Sequence, residues 1–202
     1  MSPANKYTLM DGTPVPGTTT ICNQLGKGEG LSDWIWNCGK QGKDWREQRD
    51  TAGDTGTLVH KTILRFLSGE EVHEVESDIV ADCFEKFLGW WSKETQHDDY
   101  LITEQRFVSE KLGFGGQPDI LVVNRRKLID IKTSGGIYDS YWYQLAAYGI
   151  LLNENGYKVD EYQILWLPKD SRFDCPIRTD LRKEKKIFKH LLEIYKLRNI
   201  KN

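Results

Sequence analysis

Three charged residues in the middle of the chain have the types and spacing of a reactive centre. Asp119 opens one apolar run, and eleven residues later Asp130 and Lys132 alternate with Ile129 and Ile131. Side chains on a β-strand point alternately to its two faces, so Asp130 and Lys132 share one face. An acid and a base inside an apolar strand are costly to bury without a partner or a task. A single such pair favours a structural ion pair. With a second carboxylate on the neighbouring strand, the pattern favours a Mg²⁺ or Mn²⁺ site, because hard cations take carboxylate oxygens.

The segments around these residues predict a sheet and the helices that cover it. β-branched and aromatic residues predict strands over 100–108, 114–123, 127–133 and 161–167, with a tight turn at 124–126. Helices are predicted over 58–67, 77–93, 139–153 and 180–199, the first of them after a Gly-rich step at 53–56. Residues 7–21 predict a short hairpin or an extended arm, and 31–48 are loosely helical in spacing.

This order of elements predicts an α/β (α+β) fold, in which a central mixed β-sheet is flanked by helices. A chain of 202 residues is long enough for one domain with a buried core. We therefore expect a single domain over 1–202, in which 1–50 form an N-terminal arm or helical extension and 178–202 form a basic C-terminal helix.

The charge is unevenly distributed along the chain. Its net value is −2, yet the segment 178–202 carries nine Lys or Arg against three Asp or Glu. A basic helix can steer a polyanion, although a Lys-rich face is more often merely solvated. No apolar run approaches the length of a membrane span, and the polar N-terminus does not resemble a secretory signal. A cytoplasmic location without membrane contact is the expectation, in the host cytoplasm if the source is viral.

Five sequence features, in the order in which they follow one another along the chain, resemble the PD-(D/E)XK nuclease superfamily. Asp119 followed by Asp130-x-Lys132 resembles its central motif, and residues 56–60 resemble the GxxxH motif of the RecB-like branch. Residues 144–148 resemble the QxxxY motif of that branch, and Glu104 stands where an acidic residue precedes the central motif. The fifth feature is the opening stretch 12–21. The resemblance covers about residues 7–167 and is strongest to phage-type exonucleases related to the mitochondrial genome maintenance exonuclease. It implies a restriction-endonuclease-like core.

The resemblance also implies a ligand set for Mg²⁺ or Mn²⁺. His60, Asp119, Asp130 and the backbone carbonyl of Ile131 would bind the metal, and Lys132 would contact the scissile phosphate or position the attacking water. A histidine considered alone is more often a buried core residue than a ligand, and for His60 only the GxxxH context favours a ligand.

Three further residues have roles implied by the resemblance, each with an alternative. Glu104 would bind a second metal through water or hold Lys132, or would be a surface acid on a strand. Gln144 and Tyr148 lie one helical turn apart and would contact the DNA backbone, unless Tyr148 is a core aromatic. Four nearby aromatic residues offer surfaces for base stacking or belong to the core: Tyr138, Tyr141, Trp142 and Tyr143.

The cysteines depart from the iron–sulfur members of the RecB-like branch. Those members carry one cysteine before the GxxxH motif and three near the C-terminus, whereas here Cys22 and Cys38 lie early and only Cys175 lies late. No iron–sulfur cluster is therefore expected. Widely spaced cysteines in a chain without an export signal predict reduced thiols.

The resemblance implies a metal-dependent DNA exonuclease that acts on ends, with single-stranded ends preferred. DNA is the expected partner, with a recombination or replication protein as a further one. Three alternatives stay open, since fold and motif define the chemistry and not the substrate geometry. They are a structure-specific endonuclease with the same centre, an inactive nucleic-acid-binding module, and an adaptation-type nuclease that trims ends with an integrase partner.

Overall fold

The computed structural model describes residues 7–25, 29–73, 75 and 77–200, so residues 1–6 and 26–28 of the predicted arm and 201–202 of the basic tail lie outside it. A 3-10 turn at Asn23–Leu25 follows the first helix. The helices and strands are β1 (Tyr7–Thr8), β2 (Pro14–Val15), α1 (Thr18–Cys22), α2 (Glu29–Lys40), α3 (Trp45–Leu67), α4 (Asp78–Glu94), β3 (Leu101–Thr103), β4 (Phe107–Ser109), β5 (Phe114–Gly116), β6 (Ile120–Val122), β7 (Lys127–Lys132), α5 (Asp139–Glu154), β8 (Glu161–Trp166), β9 (Ile177–Arg178) and α6 (Arg182–Arg198).

A five-stranded mixed sheet forms the centre of the fold. Its strand order is β3-β6-β7-β8-β9, and the pair β7–β8 is parallel while the other pairs are antiparallel. Helix α5 connects the two parallel strands, as a crossover between parallel strands requires. The predicted fold class, a central mixed sheet flanked by helices, is confirmed.

Strand β7 lies between two apolar layers. Leu128 packs with residues of α1, α5 and α6 on one face of the sheet. Ile129 and Ile131 pack with residues of α3 and α4 on the other face. The alternation predicted for this strand is therefore present, and Asp130 and Lys132 lie on the face covered by α1 and α5. In the described part of the chain, no helix is both long and apolar enough to span a membrane.

Two of the predicted strands are each broken into two. Residues 100–108 form β3 and β4, and residues 114–123 form β5 and β6, with β4 and β5 paired in a separate two-stranded sheet. The first break is at Glu104, whose φ of 47° lies in the left-handed region that strands do not use. The second is at Pro118, which has no N–H to donate to a ladder. As a result, Asp119 stands immediately before β6.

Helix α3 is longer than the sequence predicts. The Gly-rich step at 53–56 was expected to precede the helix, but the helix begins at Trp45 and runs through both glycines. Asp44 accounts for the early start, because its carboxylate accepts a hydrogen bond from the Arg46 N–H at 2.7 Å and caps the first turn. At Gly56 a Cβ would lie 3.0 Å from Thr133 Oγ1, so the glycine lets α3 approach the end of β7 closely.

The segment predicted as an N-terminal arm consists of two different parts. Residues 7–22 pack into the fold, since Tyr7 lies against Gly115 and the Thr18 hydroxyl donates to the Gly115 carbonyl at 2.9 Å. Helix α2 and the first turns of α3 are largely exposed, including Trp36 at 66%. The first part contacts β5, and Ile21 and Cys22 of α1 belong to the apolar layer on one face of the central sheet.

Two glycine substitutions test the close packing around β5. A Cβ at Gly116 would lie 2.7 Å from both Thr18 Oγ1 and Tyr148 Cε1, and both side chains are buried. We expect Gly116→Ala to lower the free energy of unfolding in urea by about 1–3 kcal/mol, because overpacking a buried site forces its neighbours to move. The control is Gly53→Ala, at an open position inside α3; it should raise that free energy by up to about 1 kcal/mol. An unchanged stability of Gly116→Ala would contradict the packing described.

Candidate active site

The candidate site begins at the buried carboxylate of Asp130. Asp130 is 1% exposed, and its Oδ2 lies 2.5 Å from the Lys132 ammonium, whose side chain is 15% exposed. Although this is an ion-pair distance, no residue that the structure describes forms a hydrogen bond of regular geometry with Oδ2. Burial raises the pKa of Asp130 to about 6, while Lys132 opposes the shift. Asp130 is therefore a carboxylate whose charge the protein alone stabilises only in part.

Asp119 lies at the edge of the sheet where β6 begins. Its Oδ2 accepts a hydrogen bond from the Ile131 N–H at 2.7 Å. Strand β6 pairs with β7 only from Ile120, opposite Ile129, so the Ile131 N–H points past the end of β6. The carbonyl of a strand residue points to the same side as its N–H. The Ile131 carbonyl, a predicted metal ligand, therefore also points past the end of β6.

Helix α3 brings His60 to Asp119. The His60 Nδ1 lies 3.5 Å from Asp119 Oδ1, and the two side chains are 28% and 14% exposed. Burial lowers the pKa of His60, but the Asp119 carboxylate more than offsets this effect, and the pKa is raised. Burial raises the pKa of Asp119, but His60, Lys132 and the Ile131 N–H together lower it. The two groups thus stabilise each other's charged forms.

The predicted ligands are neighbours, but their side chains do not form a closed shell. Over the described ranges, no three His, Cys, Asp or Glu side chains converge to hold a metal ion. Asp119 is bound to the Ile131 backbone, and Asp130 is turned to Lys132. The donor types, one imidazole and two carboxylates, suit Mn²⁺ and Mg²⁺. The feature that fits a cation is the enclosed carboxylate of Asp130, whose burial the Lys132 ammonium offsets only in part.

Gln144 and Tyr148 are brought together, but not in a way that exposes the tyrosine. The Gln144 amide donates to the Tyr148 hydroxyl at 2.7 Å. The Tyr148 ring is 4% exposed and packs in the core, and burial together with the nearby Asp130 and Asp119 raises its pKa well above the usual value. Of the two roles considered for Tyr148, core packing is the one observed. Contact with a DNA backbone would be left to Gln144.

The neighbouring aromatic residues divide between core and surface. Trp142 is buried, with the Arg178 guanidinium 4.1 Å from its ring centre. Tyr138 is 54% exposed. Tyr141 lies beneath the Lys132 ammonium, 5.0 Å from the ring centre to Nζ. Its hydroxyl donates to Ser134 Oγ at 2.8 Å. The sequence does not single out Ser134, since nothing but its place two residues after Lys132 distinguishes it.

Cys22 is a second residue near the site, and the sequence assigns it no role there. It lies buried on α1, and burial raises the pKa of its thiol to about 12, with a further contribution from Asp130. No motif marks Cys22, because its proximity to Asp130 arises only when α1 packs under the sheet.

A cleft of about 740 Å³ opens beside His60 along α3. Glu104 lies at its rim, exposed, with its N–H donating to the Asp119 carbonyl at 3.2 Å. The kink at Glu104 thus brings the residue to the site through its backbone. The cleft is lined by Gly56, Thr57, His60, Lys61, Leu64, Arg65, Ser68, Glu70, Thr103 and Glu104.

The pair His60–Asp119 predicts a pH-dependent contribution to stability in metal-free protein. Because the folded-state pKa of His60 is raised, its contribution is full below the unfolded pKa of about 6.5 and is lost as the pH rises through the folded pKa. We expect His60→Ala to cost more unfolding free energy in urea and EDTA at pH 6 than at pH 9. His190→Ala, a change at an exposed position of α6, is the control for helix propensity. An equal cost of His60→Ala at both pH values would contradict the pairing.

Neither a protein-family model nor a curated protein sequence matches the chain. Several solved structures match it, and two of them are named as exonucleases. A protein from Eubacterium rectale named "Putative exonuclease" is 15% identical, with 71% of this chain and 65% of that chain covered at a TM-score of 0.52. A phage related exonuclease from Haemophilus somnus 129PT is 16% identical, with 95% of each chain covered at a TM-score of 0.41, which does not establish a shared fold. The chain spans just under two thirds of the Eubacterium rectale protein, and the central mixed sheet with its flanking helices is the fold that the two share.

Proposed function

We propose that this protein is a divalent-metal-dependent deoxyribonuclease that acts as an exonuclease on DNA ends, with single-stranded ends preferred. One observation carries the proposal. His60, Asp119, Asp130 and Lys132, separated by up to 72 positions in the sequence, meet at the open end of β6 and β7. The type of reaction follows from these residues, and the preference for ends follows from the resemblance to phage-type exonucleases of the RecB-like branch.

His60, Asp119, Asp130 and the Ile131 carbonyl would hold Mg²⁺ or Mn²⁺. When bound, the cation would lower the pKa of a coordinated water and neutralise charge on the phosphate. The buried carboxylate of Asp130 supports this assignment, because it is enclosed and the Lys132 ammonium offsets the cost of its burial only in part. The pairing of Asp119 with the Ile131 N–H supports it too, since it holds one carboxylate at the end of the strand.

Lys132 would stabilise the charge that develops on the phosphate. An ammonium has three N–H donors, and Asp130 is its ion-pair partner at 2.5 Å. The remaining donors can reach a phosphate oxygen or the attacking water. A fixed cation placed against developing charge in a water-poor site favours the transition state over the ground state. Glu104, at the rim of the cleft, would orient a water or a second cation.

The cleft along α3 would hold the DNA strand next to the scissile phosphate. Thr57, Lys61 and Arg65 succeed one another at four-residue steps and so share one face of α3, beside His60. Arg65 forms an ion pair with Glu70 at 2.8 Å, whereas Lys61 is exposed. Lys61 is thus the residue best suited to contact a backbone phosphate in this cleft.

Digestion of labelled DNA tests the proposed reaction. Single-stranded, duplex and covalently closed circular DNA, labelled at the 5′ or 3′ end, would be incubated with Mg²⁺, Mn²⁺ or EDTA. We expect metal-dependent shortening of linear strands, intact circles, and at least about a hundredfold loss of rate in Lys132→Ala. Lys158→Ala is the matched control, because Lys158 is exposed and precedes β8, at the opposite end of the parallel strands from Lys132.

Each other outcome of the digestion supports a different conclusion. Cleavage of closed circles would establish a structure-specific endonuclease with the same centre. DNA binding without cleavage of any substrate would leave an inactive binding module.

Binding of Mn²⁺, monitored by electron paramagnetic resonance, is a readout independent of activity. It should be lost in Asp130→Asn and kept in Lys158→Ala, and retention in Asp130→Asn would overturn the ligand assignment.

The salt dependence of DNA binding tests the cleft. In EDTA, Lys61→Ala should reduce the slope of log K against log salt for single-stranded DNA by about 0.7, the value for one lost phosphate contact. Lys158→Ala should leave the slope unchanged. A slope that is the same in Lys61→Ala and in the wild type would show that the strand does not follow this cleft.

A further inference from the structure

The ammonium of Lys132 is held between a carboxylate and an aromatic ring. Asp130 Oδ2 lies 2.5 Å from Nζ, and the centre of the Tyr141 ring lies 5.0 Å from it. A cation over the face of a tyrosine ring is attracted by the ring's negative face. Unlike a hydrogen bond to a side chain, this attraction does not use up one of the N–H donors of the ammonium. The ring can therefore fix the position of the ammonium and leave its donors for another anion.

The ring of Tyr141 is itself fixed in place. Its hydroxyl donates to Ser134 Oγ at 2.8 Å, and Ser134 Oγ donates to the Gly136 carbonyl at 2.8 Å. The Ser134 carbonyl accepts a hydrogen bond from Trp166 Nε1 at 2.7 Å. Trp166 is the residue of β8 that pairs with Lys132. A chain of contacts thus runs from Lys132 through the ring and the loop after β7 back to the neighbouring strand.

The other surroundings of Tyr141 exclude a base from much of the ring. Lys132 lies over the face, and the Tyr138 ring meets it at a centroid distance of 5.4 Å and an interplanar angle of 80°. Tyr141 is also partly buried against the core. A base stacked on this ring would have to displace the lysine that the proposed reaction uses.

We propose that Tyr141 is a positioning residue. The face of its ring holds the Lys132 ammonium in place so that the ammonium is directed toward the scissile phosphate, and Ser134 in turn orients Tyr141. The inference rests on the proposed function for the identity of the anion. The contacts among the three side chains do not depend on it.

Kinetics of three variants test the role of the ring. Tyr141→Phe keeps the ring and loses the bond to Ser134, Tyr141→Leu loses the ring, and Tyr195→Leu is a matched control at a partly buried tyrosine of α6. With labelled single-stranded DNA, we expect Tyr141→Leu to lower kcat by roughly three- to thirtyfold, with KM nearly unchanged. Tyr141→Phe should keep most of the wild-type kcat, and Tyr195→Leu should match the wild type.

A double-mutant cycle separates positioning from other roles. If Tyr141 acts through Lys132, then Tyr141→Leu should lower the rate no further in a Lys132→Ala background. An equal loss in both backgrounds would overturn the proposal, as would a rise in KM at constant kcat, which is the result expected for base stacking.

A spectroscopic measurement tests the contact without any activity. In protein labelled with ¹³C at the lysine Cε, the resonance missing from Lys132→Ala identifies Lys132. Ring current should shift that resonance upfield in the wild type, in Tyr141→Phe and in Tyr195→Leu, and the shift should vanish in Tyr141→Leu. A protein that cleaves no DNA but has the shifted resonance would refute the proposed function and leave the contact intact. A protein that cleaves DNA but lacks the shift would refute the positioning role alone.

Discussion

The hydrogen bond from the Ile131 N–H to the Asp119 carboxylate marks the point where the regular sheet ends and the candidate site begins. Strand β7 continues beyond the point opposite Ile120, the first residue of β6, and a backbone donor that the ladder leaves unpaired needs another acceptor. Asp119 supplies it, and in doing so its second oxygen comes within 3.5 Å of His60. The same contact positions the carboxylate against α3 and directs the end of β7 toward it. Loss of this hydrogen bond would separate the pair His60–Asp119 from the end of β7, which carries Asp130 and Lys132.

Burial of charge is the second constraint. Asp130 is almost wholly enclosed, and the pKa of about 6 means that burial disfavours its charged form even with Lys132 beside it. Pairing two buried charges seldom recovers the full cost of removing them from water. An apolar pair of similar size at these positions would suit a purely structural strand better. The arrangement is more easily understood if a cation or an anion joins it during the proposed reaction.

Small residues allow the supporting elements to come close enough. Gly56 lets α3 pass against Thr133, so that His60, one helical turn later, reaches Asp119. Gly115 and Gly116 receive the rings of Tyr7 and Tyr148 where a Cβ would collide with them. The N-terminal segment is thereby packed onto β5 and α5. Helix α1, which belongs to that segment, places the apolar side chain of Cys22 near Asp130.

The sequence by itself determined the features that depend on near neighbours along the chain. Alternation alone places Asp130 and Lys132 on one face of β7, and apolar spacing alone marks the helices that cover the sheet, because both patterns repeat within a few residues. Only the tertiary structure decided the break at Glu104, the burial of Tyr148 and the contact of Tyr141 with Lys132. These features depend on which distant segments meet: β4 leaves the central sheet to pair with β5, and Tyr148 is buried where α5 packs against β5. The sequence allows the Tyr141 ring either to stack on a base or to pack in the core. Its contact with Lys132 is decided by tertiary packing, which brings the ammonium over the ring.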